Sequence, residues 1–470
     1  MIPSMSDPGL LSRVSEVRRA FAIKRRADAL VRGGPEAVAA HQRLAFRAVL
    51  GVALERSSFY RDFYGPGAQR AALAELPVLT KDILMENFDA AVTDRRLRLE
   101  DLRAHIDRDE DLHLGEFRAM SSGGSSRVRG VFVFDRDGWS HVTAASLRAS
   151  EIVGFRPRLP RRMRNAFVYA PGGAHMSARS TRSMDVGIHR TLRLDVTLPL
   201  DELVSALNRF SPDALISYPS MLALLAQELR DGRLWARPWI LTASSEPMSP
   251  AVRQQIRDAF GVQPHDLYAM TETGPMAIDC AQHAGKHVFE DQAIVEVVDD
   301  DGRPVAPGET GARILVTNLF NRVQPLIRLE VTDRLQIAEE PCACGWPLRT
   351  IAAVEGRADD VLQLPGRNGD TVALVPLHFG ALTALAGVRE FEVVHDPGVL
   401  RVRIVPTPGG DSDATIAAVE AELVRMLDNL AVASGLLRVE RCTELPRDQY
   451  SGKRRIVRSN VAHATTSPSR

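Results

Sequence analysis

Between Val131 and Phe260 the chain alternates short β-branched or aromatic runs with helical stretches, and this limits the fold more than anything else in the sequence. Residues 131–134, 166–169, 215–218 and 239–242 read as strands, and residues 139–153, 220–230 and 250–260 as helices. A helix between two strands is the crossover that lets the second run parallel to the first, so the region predicts an α/β fold with mainly parallel sheets. Upstream, residues 10–60 have helical periodicity, with apolar positions three and four apart from Leu30 to Leu54. Residues 101–111 are charged and loop-like.

The texture changes after Glu290. Residues 294–298, 313–317 and 334–338 are short strands separated by Asp, Gly and Pro turns, which predicts an antiparallel β section. A boundary falls near Gly356-Arg357. Beyond it come a glycine-rich turn at 366–370, strands at 390–395 and 400–405, and a helix at 414–427. The expected organisation is a large unit of residues 1–355 followed by a small α+β unit of residues 356–470. A chain of 470 residues is too long for one core, which agrees with this division.

Composition removes several function classes. Lys+Arg and Asp+Glu both total 59, so no net field recruits nucleic acid or an anionic membrane. No run of about 20 apolar residues predicts a membrane span. The N-terminal cations Arg18, Arg19, Lys24, Arg25 and Arg26 look like a helix face, not a signal segment. Four cysteines argue against a disulfide framework. A soluble cytoplasmic protein is expected, with no nucleic-acid or membrane partner and with a homodimer allowed.

Four segments carry chemistry. Ser121-Ser122-Gly123-Gly124-Ser125 precedes a strand, and such a loop lets backbone N–H groups and hydroxyls wrap phosphate oxygens; a flexible linker has the same composition. Ser245-Glu246-Pro247 follows a strand end, where α/β proteins place ligands. In Tyr268-Ala269-Met270-Thr271-Glu272, a hydroxyl beside a carboxylate can hold a phosphate oxygen and Mg²⁺ together, although Thr271 could also simply cap a turn. Near the C-terminus, Lys453 sits on a short glycine turn in Ser451-Gly452-Lys453-Arg454-Arg455.

These segments, with 57–61, 76–81, 325–333 and 356–360, resemble the adenylate-forming superfamily, especially its phenylacetate–CoA ligase-like branch, in order and over nearly the whole chain. The resemblance implies an enzyme that activates an aryl or acyl carboxylic acid with ATP and Mg²⁺. It then passes the acyl group to a thiol, coenzyme A first among them. On that pattern Asp333 binds the ribose hydroxyls with Arg357 close by. Ser245, Glu246 and Pro247 border the adenine, and Tyr268 stacks on it. Thr271 and Glu272 hold phosphate and Mg²⁺, Lys453 bridges carboxylate and α-phosphate, and Asp359 is the hinge of a small lid domain. The phosphate loop departs from the superfamily pattern at Gly124, Ser126, Val128 and Arg129, and Ala269 replaces a glycine. An amine or a carrier-protein thiol is the alternative acceptor, and a non-catalytic nucleotide-binding scaffold is the alternative from another class.

Two further sites follow. Cys280, His283, Cys342 and Cys344 make a Cys₃His set for a structural zinc, with His287 the competing fourth ligand; the branch often carries such a site. The acid pocket is expected around Tyr218, Gly173, His175 and Met270, with Pro275 and Met276 on another wall.

Overall fold

The computed structural model describes residues 10–122, 129–156, 161–169, 176–357, 360–433, 435, 437–446 and 456–461. A nine-stranded sheet organises the large unit. Across it the strands run Asp333–Ile337, Thr350–Arg357, Lys286–Val288, Gly274–Asp279, His265–Met270, Ile240–Ser244, Ala214–Ser217, Arg164–Tyr169 and Arg190–Asp195. From His265–Met270 to the Arg190–Asp195 edge all neighbours are parallel. The other half is antiparallel. The edge strand Arg190–Asp195 was not legible as a strand, because its arginines interrupt the apolar run; such charge is what an exposed sheet edge tolerates.

Helix Arg136–Ile152 lies on the sheet. Asp135 caps it by accepting the Gly138 N–H at 2.7 Å, and Ala145 and Ala149 pack with Ile278 and Phe289. Leu10–Arg32 packs on this helix through charge. Buried Arg148 donates to Asp291 at 2.6 Å and to Asp28 at 3.1 Å, and Lys24 pairs with Glu151. The charged segment expected to be a loop is instead a helix over Leu99–Asp107. Leu102, His105 and Ile106 are three and four positions apart and buried, which outweighs the charge of the remaining positions.

An antiparallel sheet of Ala293–Val298, Arg313–Asn318 and Leu329–Val331 contains two of the three strands expected there; the third, expected at 334–338, is Asp333–Ile337 at the edge of the nine-stranded sheet. A separate core, containing Leu362, Phe379, Val393, Val402 and Leu423, follows. It joins the strands Leu437–Arg441, Val399–Pro406, Val388–Asp396 and Val457–Ser459 to helix Ser412–Asn429. Strand Thr350–Arg357 continues through the boundary expected at residue 355. Gly356 has φ 120°, and a Cβ there would stand 3.1 Å from Pro376 of the small unit, so the approach requires glycine. Among the described residues no helix is long and apolar enough to cross a membrane.

Candidate active site

The carboxyl ends of the parallel strands converge on one cavity of about 1190 Å³, lined by Ser245, Met270, Thr271, Glu272, Asp333 and Arg357 among others. At Asp333 three strands bring three groups together. Asp333 and Arg357 are register partners on adjacent antiparallel strands, with Arg357 Nε 3.4 Å from Asp333 Oδ1. The Tyr268 hydroxyl donates to Asp333 Oδ2 at 2.6 Å. Burial, then the Asp333 charge and hydrogen bond, push the Tyr268 phenol well above its ordinary pKa, so it remains a donor. Burial works against the charge of Arg357, but Asp333, Asp360 and Glu272 outweigh it and raise its pKa. The arrangement leaves a fixed carboxylate at the cavity wall, with a donor and a cation behind it.

Thr271 and Glu272 form the turn between strands His265–Met270 and Gly274–Asp279. Gly274 closes it at φ 81°, and a Cβ there would meet Val142 at 2.9 Å. The Glu272 carbonyl accepts from Asn318 Nδ2 at 3.1 Å. Asn318 belongs to a set of fully buried amides. Asn321 Nδ2 donates to the Val133 carbonyl at 2.9 Å. Gln324 donates to the Val131 carbonyl at 3.0 Å and accepts the Val133 N–H at 2.9 Å. These side chains tie the Glu272 turn to the hairpin Arg118–Ser121 and Val131–Phe134, from which the serine–glycine loop springs. No motif flagged them; the clue was three amides interleaved with Leu319, Phe320 and Val323.

On that hairpin, buried Ser121 accepts from Arg129 at 2.8 Å, and Ser122 accepts the Gly130 N–H at 3.1 Å while lining the cavity. Lys81, which the sequence reading left without a role, lines the cavity as well; a Cβ on Gly130 would meet its Cδ at 3.2 Å. Ser245 is held at φ 70°, a strained conformation for serine at a strand end. Glu246 and Pro247 do not line the cavity. Glu246 accepts the Ser220 N–H at 3.2 Å, at the start of helix Pro219–Arg230, and Pro247 is exposed. Tyr218 is buried on the cavity wall, edge-on to Tyr169 at 5.1 Å. Pro275 lines the cavity, whereas Met276 is packed in a separate core. Gly123, Gly124, Ser125, Gly173, His175, Asp359 and Lys453 lie outside the described residues.

The cysteines gather as expected, but with a different histidine. The ligand atoms of Cys280, His287, Cys342 and Cys344 lie within 4.8 Å of one another. Cys280 and Cys342 sulfurs are 3.7 Å apart, and Cys344 Sγ is 3.3 Å from His287 Nε2. Those spacings are too long for a disulfide and fit tetrahedral ligands about 2.0–2.3 Å from one ion. His287 Nδ1 faces the Leu348 carbonyl at 3.4 Å, which leaves Nε2 for the sulfurs. His283 is turned away at φ 51°, with Nδ1 2.8 Å from Asp279 Oδ2. Asp279 also contacts His265 at 3.2 Å and Arg253 at 3.0 Å. Burial pushes its pKa up, but these partners outweigh burial and hold it well below the carboxylate range. The Arg253 cation already neutralises that second cluster, so it does not suit a metal.

Residues 188–318 match the AMP-binding enzyme family. The chain is 30% identical over 172 residues to phenylacetate-coenzyme A ligase of Thermus thermophilus, covering 35% of this chain and 38% of that protein. It is 28% identical over 275 residues to the Escherichia coli enzyme of that name, covering 53% of this chain and 56% of that one. Fumarate–(S)-2,3-diaminopropanoate ligase of Enterobacter agglomerans is 24% identical over 256 residues, covering 52% of this chain and 61% of that protein. The chain thus spans about two fifths to three fifths of the length of these relatives.

A solved 2-hydroxyisobutyryl-CoA ligase in the postadenylation state, in complex with an acyl-AMP, superposes with TM-score 0.70 at 21% identity over 90% of this chain and 89% of that one. The same ligase in its thioesterification state gives 0.55 at 21% identity over 90% of each chain. The fold is that of this CoA ligase. The sequence likeness to AMP-binding enzymes and phenylacetate-coenzyme A ligases covers part of the chain.

Proposed function

We propose that this protein is an AMP-forming acid–thiol ligase with coenzyme A as its acceptor. The observation that carries the reading is the wall of the large cavity. Asp333, Arg357, Thr271 and Glu272 line one end, and the cavity continues into an apolar groove. In this reading Asp333 accepts from both ribose hydroxyls, and Tyr268 and Arg357 fix the carboxylate that does so. Thr271 donates its hydroxyl to a phosphate oxygen. Glu272 would hold Mg²⁺, whose charge, when bound, offsets that of the phosphates. A carboxylate oxygen of the acid attacks the α-phosphorus and pyrophosphate leaves. The thiol then attacks the acyl carbon and AMP leaves. Lys453 neutralises the crowded negative charge in the first step. Ser459, Asn460 and Val461, which follow it closely in the chain, line the same cavity and support its delivery there. Asp359 is the hinge for the exchange between the two steps.

We place a structural zinc on Cys280, His287, Cys342 and Cys344. Four protein ligands would leave no open coordination position, so the residues would hold a structural ion that ties strand Lys286–Val288, through His287, to the segments carrying the cysteines. About one zinc per chain in protein purified without chelator, lost in Cys342→Ser, supports the site; metal-free folded protein removes it.

ATP–pyrophosphate exchange over a panel of aryl and acyl carboxylic acids tests adenylation. Exchange with at least one acid is expected, and silence across the panel sinks the reading in favour of a scaffold. The similarity to a diaminopropanoate ligase favours a second acceptor, an amine. Product masses with CoA and with amines separate the two.

A further inference from the structure

The cavity is larger than the roughly 300–1,000 Å³ of most small-molecule pockets, and its shape says why. Ile240, Thr242 and Ser244 alternate along one strand and all line it, as do Ala214, Ile216 and Tyr218 along the next. The groove therefore follows one sheet face from the nucleotide end at Ser244 to Ile240, roughly 13 Å at about 3.3 Å per residue. Val17 and Phe21 of the N-terminal helix, Ser150 of helix Arg136–Ile152 and Val153 just after that helix line its other side.

At the far end Phe155 packs against Ile240 and Ala214, and the His189 ring stands edge-on to Phe155 at 4.6 Å. His189 lines the cavity, yet neither ring nitrogen has a hydrogen-bond partner among the described residues, and Nδ1 is buried. Burial lowers the imidazole pKa against the weaker pull of Asp185, so the ring is neutral at pH 7. Charged groups nearby are already matched: Lys24 pairs with Glu151, and Asp185 with Arg193 at 2.9 Å. Arg156 also lines this end, exposed to solvent.

We propose that the acid is an elongated, largely apolar carboxylic acid with a neutral hydrogen-bonding group at its far end, and that His189 reads that group. This rests on the acid-activating reading above. At the far end of an apolar groove, the His189 Nε2, which has no protein partner among the described residues, is left to water. It penalises an apolar group that displaces the water without replacing its bonds.

The test uses the full chain and two series of ω-phenylalkanoic acids of increasing length, with and without a para-hydroxyl, plus distal-carboxylate analogues. Binding is read first by calorimetry, both on the acids alone and on their acyl-sulfamoyl adenosines. Affinity should rise about fourfold per methylene until the groove is filled. The para-hydroxyl acid should bind about five- to tenfold more tightly than its apolar partner. His189→Leu should abolish that preference and His189→Gln should retain part of it. Ile240→Trp should reject the long acids and spare the short ones; Val153→Trp, at a less buried position, serves if Ile240→Trp does not fold.

A flat length series, a hydroxyl preference that survives His189→Leu, or preference for the distal carboxylate overturns the proposal. Pyrophosphate exchange separates the two readings. Long acids that bind in the groove but give no exchange break adenylation and leave the groove standing. Exchange confined to short acids and unaffected by Ile240→Trp does the reverse.

Discussion

The two ends of the cavity are built by different means. The end proposed to take the nucleotide is held by side chains that reach across the fold: Tyr268 to Asp333, Asn318 to the Glu272 turn, Asn321 and Gln324 to the loop hairpin. Its geometry depends on hydrogen bonds between residues distant in sequence. The far end is the alternating face of parallel strands covered by two helices, and apart from His189 apolar side chains of suitable volume would serve there. On the proposed function, one end fixes chemistry and resists substitution; the other sets which acid fits and, His189 aside, can vary at small cost.

The largest effect that would sharpen this contrast is Lys453→Ala. Adenylation should fall about 100- to 1,000-fold while acid binding is unchanged, as expected for loss of charge stabilisation confined to the transition state. An unaltered exchange rate would end its assigned role. Next is Asp333→Asn, which weakens charge-assisted bonds to ribose and should raise the KM for ATP roughly 10- to 100-fold, with little change for the acid. Equal rises for both substrates would erase the distinction between the ends. The same variant should bring the Tyr268 phenol down toward its ordinary pKa, visible by ultraviolet titration, because the Asp333 charge helps hold it up.

Smaller is Asn321→Ala, which leaves the buried Val133 carbonyl unpaired and should cost about 1–3 kcal/mol in denaturant unfolding. A loss below a few tenths would mean the amides are incidental. The smallest effect concerns His141, which stacks on Phe320 of the amide-bearing segment at 4.9 Å. Burial lowers its folded pKa below the ordinary value of 6.5, so as pH falls through 6.5 the unfolded chain gains a proton that the folded chain refuses. Its contribution to stability should therefore be present above pH 6.5 and decline below it. His141→Gln should flatten that slope in unfolding measurements at pH 5–8.

Legibility in sequence divides along the same line. The parallel strands could be read from their alternation with helices, and Thr271, Glu272, Asp333 and Arg357, singled out by residue type, fall together on one cavity wall. Orientation could not. Beside the stacking expected of its ring, the Tyr268 hydroxyl donates to Asp333, a partner 65 residues away that no spacing rule pairs with it. His283 has the better spacing from Cys280, but a left-handed turn aims it at Asp279, and His287 reaches the sulfurs from a neighbouring strand. The far end was illegible for a simpler reason. Ile240 and Thr242 alternate as in any strand, and nothing local says that Phe21, from the first helix, lies over that face.

Strand Thr350–Arg357 has a mechanical consequence. It pairs with Lys286–Val288 at Thr350 and Ile351, and with Asp333–Ile337 as far as Arg357, so it is clamped along its length. Cys342 and Cys344 stand just before it. A door needs a jamb that does not give. If the small unit swings, Arg357 is the last residue on the frame, and a loosened cysteine cluster would be felt as play in the hinge before any loss of the pocket.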